Sequence, residues 1–266
     1  MADGGADARS PAERRCLSRR AEWRPTVNPD REASRLGVGI IGAGRVGPVL
    51  ARALAGAGHA ITGISAVSET SRERAESMLP GVPILEVAEV VRRSELVLIA
   101  IPGSELPGLV AGLAATGAWQ PGQLAIHTAP EHGIGVFAPA LAAGVIPLAL
   151  HPAIVFTGTS LDLTRLSEAT IAVTAPAPVL PIGQALAVEM GAEPIIVSEQ
   201  DRPAYADAML AAAELSQAVV RQTTDALRSI GIERPDRAVG GVLRAAMEEE
   251  LLRAVADPGP SGIELS

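Results

Sequence analysis

Val38-Gly39-Ile40-Ile41-Gly42-Ala43-Gly44-Arg45-Val46-Gly47 is the stretch on which the fold turns. Its first four residues are a short apolar run, as expected of a strand buried on both faces. The next six place glycines at 42, 44 and 47. Val46, Val49, Leu50, Ala53, Leu54 and Ala57 then recur at helical spacing until Gly58 closes the helix. Pro48 falls in the first helical turn, where a missing N–H costs nothing. A glycine turn between a buried strand and a helix is the setting in which this spacing predicts a dinucleotide site. Gly42 would permit the tight turn, Gly44 would admit a pyrophosphate, and Gly47 would let helix and strand approach. Arg45 and Val46 complete the loop, and free N–H groups at the helix start supply an anion site.

Outward from that unit the alternation continues. Strands are expected at 60–65, 82–85, 96–101, 123–127, 145–151, 170–174 and 194–197, with helices at 71–79, 105–116, 134–143 and 179–190. Such a series predicts an α/β fold, a Rossmann-type doubly wound and mainly parallel sheet with right-handed crossovers. From Asp201 the pattern changes to two helices, 203–230 and 235–256, with Gly231 as a stop between them. Their apolar stripes (Met209, Leu210, Val220; Val242, Met247, Leu251) exceed what one flank can cover, so a homodimer built on them is expected. The chain therefore divides into an extension (1–35), a dinucleotide-binding domain (36–200), an all-helical domain (201–257) and a tail (258–266).

Composition narrows the functions. All 22 basic residues among the 266 are Arg, which excludes lysine Schiff-base, P-loop and lysine-acid chemistry within this chain. Residues 1–35 carry 8 Arg against 6 acids, so the rest carries 14 Arg against 24 acids. A body this acidic, with 2% aromatics, argues against a nucleic-acid partner. Cys16 alone makes neither an intramolecular disulfide nor a thiolate metal cluster. Residues 134–156 are nearly uncharged, yet Pro139, Pro147 and Pro152 break them, so no membrane span is expected. Residues 1–35 have no apolar core of a signal peptide and read as a disordered extension, which leaves a soluble cytoplasmic protein as the expectation.

An NAD-selective site has an acid about 20 positions past the glycines. Here Ile64, Ser65 and Ala66 stand at that place, followed by Ser68, Ser71, Arg72 and Arg74. Hydroxyls and guanidinium groups suit a 2′-phosphate, which favours NADP over NAD. The alternative makes Arg72 and Arg74 solvated helix residues beside Glu69 and Glu73. Pro102 and Gly103 end the strand that should flank the cofactor. His127 and His151 end two further strands, where open α/β sheets bind ligands, and an imidazole there can donate a proton as hydride arrives. Either could instead bond a loop backbone. Tyr205, at the start of the long helix, could orient a small-molecule substrate or simply pack. His59 and His132 read as exposed. The histidine spacing lacks an i, i+4 pair, so no metal is expected.

The residues 38–47, 65–74, His127-Thr128, and His151-Pro152 with Phe156-Thr157-Gly158 together resemble a bacterial family. Its members join a Rossmann-like domain to a C-terminal domain of unknown function 2520. The resemblance covers about residues 36–256. It implies kinship with pyrroline-carboxylate reductases, ketopantoate reductases and F420-dependent NADP reductases, and a dimerising helical domain. The chain departs from that pattern at Ala129-Pro130-Glu131, at Ala206, at Ala213-Glu214-Leu215, and in a shortened tail at 258–261. Cleft polar groups implied by the resemblance are thus missing, and so is the lysine of ketopantoate reductases. The expected function is an NADP-dependent oxidoreductase acting on a small carbonyl or imine. The alternative is a dinucleotide-binding sensor whose catalytic groups have eroded.

Overall fold

A seven-stranded sheet in the order β2-β1-β3-β4-β5-β6-β7 organises the chain. The structure is a computed structural model and describes residues 36–256. The expected extension 1–35 with Cys16, and the expected tail 258–266, lie outside the described residues. The strands are β1 (Gly37–Ile41), β2 (Ala60–Ser65), β3 (Leu96–Ile99), β4 (Leu124–His127), β5 (Ile146–Pro152), β6 (Thr170–Thr174) and β7 (Glu193–Ile196). The helices are α1 (Gly47–Gly56), α2 (Glu69–Met78), α3 (Val87–Arg92), α4 (Leu106–Ala115), α5 (Ala138–Leu141), α6 (Leu161–Leu166), α7 (Leu180–Glu189), α8 (Arg202–Ser229) and α9 (Pro235–Ala256).

Alternate residues of the central strands feed two cores, as a sheet covered on both faces requires. Val38, Ile40, Ile64, Leu98, Leu148 and Val173 pack with α1 and α7 on one face. Ile41, Val97, Ile99, Ala125 and Phe137 pack with α3 and α4 on the other. No helix among the described residues is long and apolar enough to cross a membrane.

Three local readings need correction. The strand expected at 82–85 is a single bridge between Ile64 and Ile84, because Pro80 and Pro83 leave too few N–H donors for a ladder. Helices α3 and α6, of six residues each, were not anticipated, since so short a span shows no periodicity. All pairings are parallel except β5 with β6. That reversal sets the end of β5 beside the start of β6, with Pro152 opposite Ile171.

His59, expected exposed, is buried. Its Nδ1 accepts from Leu36 N at 3.2 Å and its Nε2 meets Glu189 at 2.9 Å, tying the entry of β1 to α7. Helix α8 has 28 residues, about 42 Å at the usual rise. It starts against the sheet near Ala149 and is long enough to continue past the ends of the strands. Helix α9 packs back along it. Leu210, Leu215, Val242, Leu251 and Val255 remain more than half exposed on this pair.

Candidate active site

The glycine loop adopts the geometry its spacing requires. Gly42 has φ +103°, and a Cβ there would overlap Ala100 O, so both conformation and space call for glycine. At Gly47 a Cβ would overlap Gly42 O, which keeps α1 close to the turn. Gly44 is different: among the described residues nothing lies within 4 Å of where its Cβ would be. Its bare backbone faces a cavity of about 540 Å³ bounded by the glycine loop, Ser65, Ser68, Ser71 and Pro102. This space lies between the ends of β1 and β3, where the strand order reverses, which is where such sheets take their ligands.

Around that cavity the polar groups are partly engaged. Ser65 Oγ accepts from Gly42 N at 3.2 Å and so braces the turn. Ser68 caps α2 by accepting from Ser71 N, and Ser71 Oγ donates back to Ser68 O. Arg74 donates to Ala43 O at 3.2 Å, from behind the loop. Arg72 stands exposed in an adjoining cavity of about 470 Å³ that Ser65, Glu86 and Glu89 also line. Thus carboxylates do reach this region, from the segment after the Ile84 bridge rather than from the end of β2.

A third cavity, about 380 Å³, adjoins the loop; Arg45, Val46, Pro102, Gly103, His151 and Phe156 are among its lining. His151 Nδ1 is 2.9 Å from Tyr205 Oη, leaving Nε2 as the nitrogen available to a ligand. Burial first, and the Arg202 cation second, push the His151 imidazole down to about 4, so it is neutral at neutral pH. Burial raises the Tyr205 phenol above its ordinary value, with Arg202 opposing.

His127 was expected to share this cleft. Its strand neighbours that of His151, with His127 opposite Ala149, yet the ring is wholly buried and reaches neither cavity. Its Nε2 donates to Gly133 O at 2.9 Å and its ring lies 5.6 Å from Phe137. Burial pushes it down to about 4 despite that bond. It is a buried anchor for the 128–133 loop. His132, expected exposed, is half-buried and donates from Nε2 to Gly103 O at 3.0 Å, joining the same loop to the Pro102-Gly103 turn.

Two residues escaped the sequence reading. Arg202, wholly buried, donates from Nε to Thr174 Oγ1 at 2.7 Å and from Nη2 to Ala149 O and Ala172 O at 2.9 and 3.1 Å. Its guanidinium carbon lies 5.9 Å from the Tyr205 ring centroid. It therefore fixes the start of α8, and Tyr205 with it, against β5 and β6. Asp162, also buried, accepts from Thr157 N and Gly158 N at 2.8 Å each and from Thr157 Oγ1 at 2.9 Å. Burial opposes its charge, but these donors outweigh it and hold the carboxyl below its usual range. The 157–162 loop is thereby pinned beside Arg45 and Arg74. An Asp in the first turn of α6 was the one signal available.

Among the described residues no group of His, Cys, Asp and Glu could hold a metal.

Two family profiles match the chain. A profile described as Rossmann-like domain matches residues 23–152, and one described as domain of unknown function 2520 matches residues 169–260. A Bacteroides fragilis protein provisionally described as an NADP oxidoreductase superposes with TM-score 0.66 at 18% identity, over 84% of this chain and 81% of that one. An imine reductase from Pseudomonas sp. gives 0.61 at 16%, over 84% and 77%. The 1-pyrroline-5-carboxylate reductase of Streptococcus pyogenes gives 0.58 at 18%, over 86% and 82%. At these identities the likeness is one of fold. A glycerol-3-phosphate dehydrogenase [NAD(P)+] of Lactobacillus delbrueckii subsp. bulgaricus is 38% identical over a stretch covering 24% of this chain. The match spans about a quarter of that relative's length, 23%.

Proposed function

We propose, for a chain that belongs to the family joining a Rossmann-like domain to the domain of unknown function 2520, an NADP-dependent oxidoreductase acting on a small carbonyl or imine. The observation that carries this reading is continuity. The open backbone at Gly44 and His151, itself bonded to Tyr205, border adjoining cavities that share Ile101 and Pro102. A cofactor laid along the loop would reach from one to the other. The site fits a dinucleotide, because of the loop glycines 42, 44 and 47 the one without a packing reason is the one a pyrophosphate needs bare.

A bound nicotinamide supplies or accepts the hydride. In the tautomer with Nε2 protonated, Tyr205 donates to Nδ1, and His151 presents Nε2–H to the substrate oxygen or nitrogen. His151 then releases that proton to the substrate while Tyr205 replaces it at Nδ1, and the nearby Arg202 cation stabilises the resulting phenolate. A neutral imidazole can work this way although burial denies it the imidazolium form. NADPH oxidation across a panel of aldehydes, ketones and cyclic imines tests the reading. Binding of NADPH with no consumption across the panel would favour a sensor, the reading to which the missing polar groups at Ala206 and Leu215 point.

NADP is the proposed cofactor because no acid ends β2 and Arg72 stands exposed beside Ser65. Arg72→Ala should weaken NADPH by about tenfold, the usual scale of one charge-assisted contact, and leave NADH unchanged in the same titration. An equal loss for both would assign Arg72 elsewhere.

A homodimer on α8 and α9 accompanies this proposal, since their exposed Leu and Val side chains need cover. Light scattering at micromolar concentration should give twice the 27.2 kDa of one chain; the mass of one chain would refute it.

A further inference from the structure

Beyond His151 the cleft opens into a cavity of about 530 Å³ between the segment after β5 and the side of α8, within the usual range of small-ligand pockets. It shares Pro130, His151 and Ile154 with the cavity beside the glycine loop, so the imidazole stands in the doorway between them. Ile154, Val155, Ala206, Met209, Leu210 and Ala213 form its walls, with Ser216 and Gln217 as the polar groups opposite His151.

Among the described residues no charged side chain lines it. A lysine is impossible in this chain. Arg202 and Arg221 lie one turn before Ala206 and one turn after Gln217, and neither lines the cavity; Arg202 is wholly buried beneath the site and commits Nε and Nη2 to Thr174, Ala149 and Ala172, with Nη1 unpartnered among the described residues. Arg45 lines only the cavity on the cofactor side. An anion drawn into such walls would shed its water and find neither a cation nor an array of donors, which is costly. An apolar group entering the same walls displaces water and covers Val155, 64% exposed and outside the α8–α9 pair.

Resting on the oxidoreductase reading above, we infer that the substrate is an uncharged carbonyl or imine compound with an apolar substituent, and bears no carboxylate. The C=O or C=N carbon lies at the His151 doorway, and the substituent lies along α8 from Ala206 to Ala213. Hydride reaches that carbon from the nicotinamide, and the oxygen or nitrogen takes its proton from His151 Nε2. Ser216 and Gln217 are left for at most one neutral polar group.

The test uses calorimetric titration of full-length protein loaded with NADP, with two ligands of one scaffold: cyclohexanone carrying a 4-propyl group or a 4-carboxylate. The propyl ketone should bind at least about tenfold more tightly, and Met209→Arg should narrow or reverse that preference. A carboxylate that binds the unmodified protein as tightly as the propyl ketone, or more so, overturns the inference. So does the binding of neither ligand while NADP binds, which would give these walls to a second copy of the chain. Should NADP itself fail to bind, the cofactor reading falls. The ligand pair titrated without it then judges the cavity by the same criteria.

Discussion

Changing His151 to Gln is expected to lower turnover by roughly 10²–10⁴-fold, the usual contribution of a positioned proton donor. Glutamine keeps a comparable volume and a donor near the cavity, but it cannot pass a proton from Tyr205 to a substrate. The dinucleotide affinity should stay within about twofold, because the side chain borders the cavity beside the glycine loop without holding that loop. Tyr205→Phe should cost less, since it removes the replacement proton at Nδ1 and leaves the imidazole in place. Steady-state kinetics on a substrate from the carbonyl and imine panel, with NADPH titrations alongside, separates these outcomes. Unchanged turnover in the His151 variant, or parallel loss of NADPH binding, would remove the proton-donor role.

The second large effect is on stability. Arg202→Ala should cost about 3 kcal/mol or more, because it strips donors from Thr174, Ala149 and Ala172 and opens a buried void. For a chain of this size that corresponds to roughly 6–12 °C in thermal midpoint. Arg165→Ala is the control: its guanidinium meets the Asp162 carboxylate, but its side chain is half exposed, 51%, and it should matter little. A midpoint unchanged by Arg202→Ala would show that α8 holds its place without the guanidinium.

What the sequence could and could not reveal follows from range. The glycine loop was legible because strand, turn and helix are contiguous, so each glycine's role could be read from its neighbours. The two long helices were legible because their periodicity runs for many turns. Helices α3 and α6 were not, since six residues carry no stripe. The antiparallel entry of β6 has no local signature, because an apolar strand reads the same in either direction.

At the site, His127 and His151 looked alike, each ending an apolar strand. What separates them is three-dimensional. Phe137 and Gly133 enclose one ring, whereas Tyr205, 54 residues away, meets the other at the cavity edge. Arg202 escaped for a related reason. An Arg after an Asp at a helix start reads as solvated, and only the docking of α8 onto β5 and β6 buries it.

The central claim, that the glycine loop is a dinucleotide seat, is tested most directly by titrating NADPH into Gly44→Val. Among the described residues nothing lies within 4 Å of a Cβ at this position, so the variant should keep the thermal midpoint of the unmodified protein. Its side chain would instead occupy the space a pyrophosphate needs, and NADPH affinity should fall by about tenfold or more. A folded variant that binds NADPH as tightly as the unmodified protein would contradict the account.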